Sequence, residues 1–91
     1  MTRTIAHNAG QQRFEFIEDD LLSTLDYQLD NGVMAITHTN VPKAIEGRGI
    51  AADLTRAALD TARHNGWRVR PICTYAQAYI RRHRDYQDLL V

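Results

Sequence analysis

The 91-residue chain has one cysteine, Cys73, and two prolines, Pro42 and Pro71. A lone cysteine excludes an internal disulfide. The four histidines, His7, His38, His64 and His83, are scattered without ligand spacing, so no metal site is expected. Long apolar runs are missing too, and no segment offers the roughly 18 to 20 apolar residues of a bilayer-spanning helix. Net charge is absent: eleven basic side chains balance eleven acidic ones, which argues against a polyelectrolyte that binds nucleic acid or membrane through bulk charge. The opening MTRTIAHNAGQQ has neither an apolar stretch nor a cleavage-site pattern. It is read as a flexible polar lead-in over residues 1–12 and not as a signal peptide, which makes the cytoplasm the expected compartment.

What is present suits one small domain over residues 1–91. Hydrophobic residues at 44% and charged residues at 24% leave enough apolar surface for a core, which excludes disorder and low-complexity structure. The balanced charge conceals an asymmetry. Residues 1–42 carry two basic and six acidic side chains, and residues 43–91 carry nine and five, so an anion would find its counter-charge in the second half.

Alternation in Arg13-Phe14-Glu15-Phe16 has the period of a half-buried strand, and Glu18-Asp19-Asp20 reads as a turn. Leu22 to Leu29 and Val33 to Thr39 are rich in strand formers and flank Asn31-Gly32, whose residues tolerate the positive φ of a type I′ hairpin. The pleat of the third strand sets Val33, Ala35 and Thr37 on one face and Met34, Ile36 and His38 on the other. Both sets hold apolar residues, so cover on both faces is expected, or cofactor on one of them.

Beyond Pro42 the period changes. Ile50, Leu54, Ala58 and Ala62 recur every fourth residue, predicting an amphipathic helix from about Gly49 to His64, closed by Asn65-Gly66. Trp67 to Ile72 reads as a short strand at an edge, because Pro71 cannot donate to a ladder. Thr74-Tyr75-Ala76-Gln77 has the form of a capping box opening a second helix through about His83. The fold class expected is α+β, a mostly antiparallel sheet with two main helices packed on it.

The stretch with most chemical content is Glu46-Gly47-Arg48-Gly49-Ile50-Ala51, directly before the first helix. Glycines there permit a sharp turn, and free amides at a helix start suit a phosphate. Cys73 precedes the second helix, where a helix amino terminus favours a thiolate; the residue types alone leave it either a core residue or a reactive thiol.

This run, leading from a strand into an amphipathic helix, resembles the acetyl-coenzyme A motif of the GNAT superfamily of N-acetyltransferases, Gln/Arg-x-x-Gly-x-Gly/Ala. Glu46 departs from the Gln/Arg position, while Gly49 and Ala51 fill the two small positions. Within that superfamily the chain resembles a compact branch of about this length, the YjdJ-type proteins. That similarity runs through His38-Thr39, Val41-Pro42, Gly47, Gly49-Ile50-Ala51, Gly66, Pro71, Cys73 and Tyr79-Ile80, then Arg82-His83, Tyr86 and Asp88-Leu89; Arg84 replaces a proline.

The resemblance implies a minimal GNAT-like fold and acetyl transfer from acetyl-coenzyme A to an unidentified amine. It implies cofactor contacts at Val41, Gly47, Arg48, Gly49, Ile50 and Ala51, with Arg82 and His83 reaching phosphate or adenine. Catalytic roles fall to Cys73 as an acetyl acceptor or site-lining thiol, His38 as general base and Tyr79 as proton donor to the leaving thiolate. The alternative function is a coenzyme A or acyl-coenzyme A binding module with little catalysis. A small RNA-binding domain using Arg68, Arg70, Arg81, Arg82 and Arg84 lacks the aromatic-rich strand that base stacking requires, so no nucleic-acid partner is expected.

Overall fold

The structure, a computed structural model, describes residues 3–91. Five strands run in the order β1 (Ala6–Asn8), β2 (Arg13–Glu18), β3 (Leu21–Asp30), β4 (Val33–Asn40) and β5 (Arg68–Pro71), and they are neighbours in that same order across one sheet. The first three pairings are antiparallel; β5 joins β4 in parallel after a crossover through helix α1 (Ile50–Asn65), and helix α2 (Thr74–Arg82) follows it. A mostly antiparallel sheet with two main helices is therefore what the chain adopts. Among the described residues no helix is long and apolar enough to cross a membrane.

The turns follow from residues that accept left-handed backbone. Asn31 and Gly32 have φ of 51° and 74°, and Asp19 and Asp20 have 54° and 61°, so each pair reverses the chain in two residues. Helix α1 ends as its sequence directs, on Gly66 at φ 72°. Residues 6–8, read as part of a lead-in, instead form an edge strand: Ala6 to Asn8 pair with Glu15 to Arg13, and His7 stacks on Phe14 with centroids 4.2 Å apart. Three residues are too few to show an alternation in sequence.

Both helices lie on one face of the sheet. Ile50, Leu54, Ala58, Leu59 and Ala62 of α1 and Ala76, Tyr79 and Ile80 of α2 are buried with Phe14, Leu25, Tyr27, Met34, Ile36 and Val69 of the strands. Each large apolar side chain sealed here contributes roughly 1.5 to 3 kcal/mol relative to exposure. The other face has no helix over it, and Ile17 and Leu22 are exposed there. The expectation of cover on both sides of β4 is corrected: Met34 and Ile36 are buried, while Val33 and Ala35 are only half-buried.

A β-bulge decides which side chains of β4 reach the helical face. Ile36 opposes Tyr27 and His38 opposes Asp26, so Thr37 is an extra residue without a partner, its hydroxyl donating to the Asp26 carbonyl at 3.2 Å. The extra residue reverses the alternation beyond it. Thr39 joins Leu25 on the helical face, and His38 turns to the open one.

Candidate active site

The ladder between β4 and β5 is short, running only from Val33 opposite Arg68 to Ile36 opposite Pro71. It ends because the amides of Ile72 and Cys73 both converge on the Ile36 carbonyl, each at 2.9 Å, and the chain turns into α2. Strand β4 continues to Asn40 paired only with β3, so β4 and β5 splay apart. A cleft of about 480 Å³ lies at this end of β4, within the size range of small-molecule sites. Its walls are Thr39, Asn40 and Val41 from the free end of β4, Glu46, Gly47 and Gly49 from the following loop, Ile50 to Ala52 from α1, and Tyr75 from α2.

The loop is built to leave amides bare. Pro42 leads into a single 3-10 turn, Lys43–Ile45, whose Ile45 is sealed in the core and anchors it. Gly47 and Gly49 follow at φ 83° and 85°, a conformation L side chains rarely adopt. Gly49 is the residue before α1 and no side chain caps the helix. The first helical bond is from the Asp53 amide to the Gly49 carbonyl at 3.1 Å, so the amides of Ile50, Ala51 and Ala52 have no acceptor within the helix. Bare amides and the positive end of a sixteen-residue helix dipole favour an anion here.

Arg48, expected to add charge to that site, turns away from it. Its guanidinium lies 2.7 Å from a Glu18 carboxylate oxygen and 2.9 Å from one of Asp19, at the β2–β3 turn. Arg48 instead ties the loop to that turn and brings no charge to the cleft wall.

Cys73 stands at the splayed end, as the residue before α2, half-buried and 3.6 Å from the hydroxyl of Thr39. The capping box predicted from Thr74 does not form. Thr74 is already the first helical residue, and Gln77 donates to the carbonyls of Pro71 and Ile72 instead. Burial pushes the Cys73 thiol up, but the Ala76 amide, the Thr39 hydroxyl and the Tyr75 amide favour the thiolate and outweigh it, leaving the thiol below its ordinary value.

The two tyrosines of α2 differ in what they face. Tyr75, in the first turn, lines the cleft two residues beyond Cys73, and burial raises its phenol above the ordinary value. Tyr79, one turn on, is 4% exposed and does not line the cleft; it stacks on His83 with centroids 3.9 Å apart. His83 also shares a 2.8 Å hydrogen bond with the Tyr79 carbonyl, and Arg82 rests against the Ala78 carbonyl at 3.4 Å. Both lie at the far end of α2 from Cys73.

Comparison with known proteins decides the family. A profile described as GCN5-related N-acetyl-transferase matches residues 13–89. The chain belongs to the GCN5-related N-acetyltransferases. A GCN5-like protein from Staphylococcus aureus, solved by NMR, superposes with a TM-score of 0.76 at 26% identity, covering 99% of this chain and 89% of that one. Protein NATD1 of Gallus gallus and of Mus musculus are each 39% identical over 49 residues, which is 54% of this chain and 44% of theirs. The matched segment thus spans less than half of those curated relatives.

As a GCN5-related N-acetyltransferase the chain brings Val41, Gly47, Gly49, Ile50 and Ala51 together around one cleft, with Cys73 beside its Thr39 wall. It does not bring Arg48, Tyr79, Arg82, His83 or His38 to that lining, and Cys73 itself stands behind Thr39 and is not part of the wall. Sequence reasoning missed Thr39 and Tyr75 as wall residues. The signal for Tyr75 was its distance from Cys73: a residue two positions into a helix stays at the helix mouth, whereas one six positions on has climbed beyond a turn and a half.

Proposed function

We propose that the chain takes acetyl-coenzyme A into this cleft and transfers the acetyl group to an amine through Cys73. The observation carrying the reading is that one cleft has in its wall both the bare amides of a helix start and Thr39, whose hydroxyl lies 3.6 Å from the Cys73 thiol. The amides of Gly47 to Ala51 hold the phosphates, and the unpartnered edge of β4 from Thr39 to Val41 supports the pantetheine arm. Bound there, the cofactor supplies an activated acetyl thioester.

Cys73, reacting as its thiolate, attacks the thioester carbonyl, so that an acetyl–Cys73 bond forms as the bond to the coenzyme A sulfur breaks. The amine then displaces Cys73 as a thiolate and gives up one proton, which ends on the departed coenzyme A sulfur. Tyr75 remains protonated at neutral pH and donates a hydrogen bond to that sulfur, the task the resemblance gave to Tyr79. His38 stands on the opposite face of the sheet and takes part only toward an amine approaching from that side.

Mass spectrometry of the intact protein after incubation with acetyl-coenzyme A tests the reading. One acetyl group on Cys73, discharged by an added amine, is the expected result. Tight coenzyme A binding with neither acetylation nor turnover across an amine panel would replace the enzyme with a binding module.

A further inference from the structure

Arg3 lies ahead of the family match at residue 13, yet it reaches the loop that opens α1. Its guanidinium donates to an Asp53 carboxylate oxygen at 2.7 Å and to the backbone carbonyl of Arg48, stands 3.8 Å from Glu18, and covers the Phe16 ring at 5.7 Å. It is not in the cleft wall.

We propose that Arg3 is a positioning residue for the phosphate cradle: it aims the Gly49 amide and cancels the Asp53 charge. The proposal rests on the cofactor reading above. In a trans peptide the carbonyl and the next N–H point in opposite directions. Holding the Arg48 carbonyl toward Arg3 therefore turns the Gly49 N–H away from Arg3. The Arg48 side chain, through its two ion pairs with Glu18 and Asp19, tethers the same residue to the β2–β3 turn.

Charge is the second half of the argument. Asp53 is in the first turn of α1, where its carboxylate would repel a phosphate at the helix start. Arg3 takes one of its oxygens, and Arg56 the other at 3.1 Å. The helix end is left to act with its own dipole. Gly47 and Gly49 free the backbone to turn, and Arg3 selects one orientation of the peptide between them.

NMR titration of the wild-type protein, Arg3→Ala, Arg3→Lys and Arg3→Ala/Asp53→Asn, with coenzyme A and separately with pantetheine, tests this. Arg3→Ala should weaken coenzyme A about tenfold, as expected for a lost charge-assisted contact, while pantetheine, which has no phosphate, changes less than about twofold. Adding Asp53→Asn should recover part of the loss, because the stranded carboxylate is gone. Arg3→Lys keeps the charge but cannot fork between two acceptors, so it should lose about threefold for coenzyme A alone. It carries the test if Arg3→Ala does not fold.

Unchanged coenzyme A affinity in the Arg3 variants, or equal losses for both ligands, would overturn the positioning role. A wild-type protein that binds pantetheine no worse than coenzyme A would sink the phosphate cradle itself, and Arg3 with it.

Discussion

The two ends of α1 are finished in opposite ways. At its carboxyl end the chain caps and ties itself: the Gly66 amide meets the Ala62 and Arg63 carbonyls, the Trp67 amide adds a 2.8 Å bond to Ala62, and Arg63 grips both oxygens of Asp88 at 2.9 Å. Tyr86 in the following 3-10 turn, Arg84–Leu89, donates to Asp60 at 2.7 Å. At its amino end a glycine stands where a capping side chain would, and the cleft side is bare. One helix end is tied back into the fold, and the other leaves hydrogen-bonding capacity unspent. Damage at the first should read as lost stability, and damage at the second as lost binding.

The largest expected effect is at the cleft. Cys73→Ser should lower the rate of acetyl transfer on the order of a hundredfold or more, because a hydroxyl in the same place is not ionised near neutrality. Coenzyme A affinity, measured by calorimetry, should stay within about twofold, since the phosphates lie elsewhere. A variant as fast as the parent would remove Cys73 from the chemistry.

Gly49→Val should come next. A β-branched residue at φ 85° strains the loop by roughly 1 to 3 kcal/mol, and coenzyme A affinity should drop about thirtyfold as the amides lose their aim. If thermal stability falls while affinity holds, the bare end of α1 is structural and the contrast collapses.

At the closed end, Tyr86→Phe removes one hydrogen bond and should cost about 0.5 to 1 kcal/mol in denaturant unfolding, with coenzyme A binding unmoved. Loss of binding there would show the two ends to be coupled.

The smallest effect is a pH dependence. Because the Cys73 thiol lies below its ordinary value in the fold, its alkylation should reach its plateau at lower pH than a free cysteine, near 8.5, would. The sign for stability is the same as for a depressed carboxylate: the contribution is complete above the unfolded-state pKa and is lost as pH falls through the folded one. Coenzyme A should slow the alkylation. A midpoint at or above the free value, with no protection, would make Cys73 an ordinary half-buried side chain.

Local rules made much of this fold legible. Asn31-Gly32 declared its hairpin through backbone tolerance, and α1 declared itself through the four-residue spacing of Ile50, Leu54, Ala58 and Ala62. The Gly47 to Ala51 loop was legible for the same reason, since glycine before a helix is a backbone statement. What escaped were consequences of tertiary pairing. The bulge at Thr37 moves His38 to the open face, yet nothing local in Ile36-Thr37-His38 marks it. Arg48 is claimed by Glu18 and Asp19 from a distant turn, and a charged residue in a glycine-rich loop carries no sign of where its partner lies. The Thr74 box failed by one residue, because Cys73 and Ile72 share a carbonyl and start the helix early.

The outer strands of the sheet have a bearing on how molecules of this protein meet one another. At one margin β1 offers only three residues. At the other, β5 is four residues long, ends in a proline, and is overlaid by the tail, where Leu90 bridges to Val69, the Val91 amide bonds the Val69 carbonyl and Arg68 holds the carbonyls of Leu89 and Leu90. Neither margin presents a long free ladder for a neighbouring chain to extend. Strand addition between copies of the chain is thereby disfavoured at both sides of the sheet.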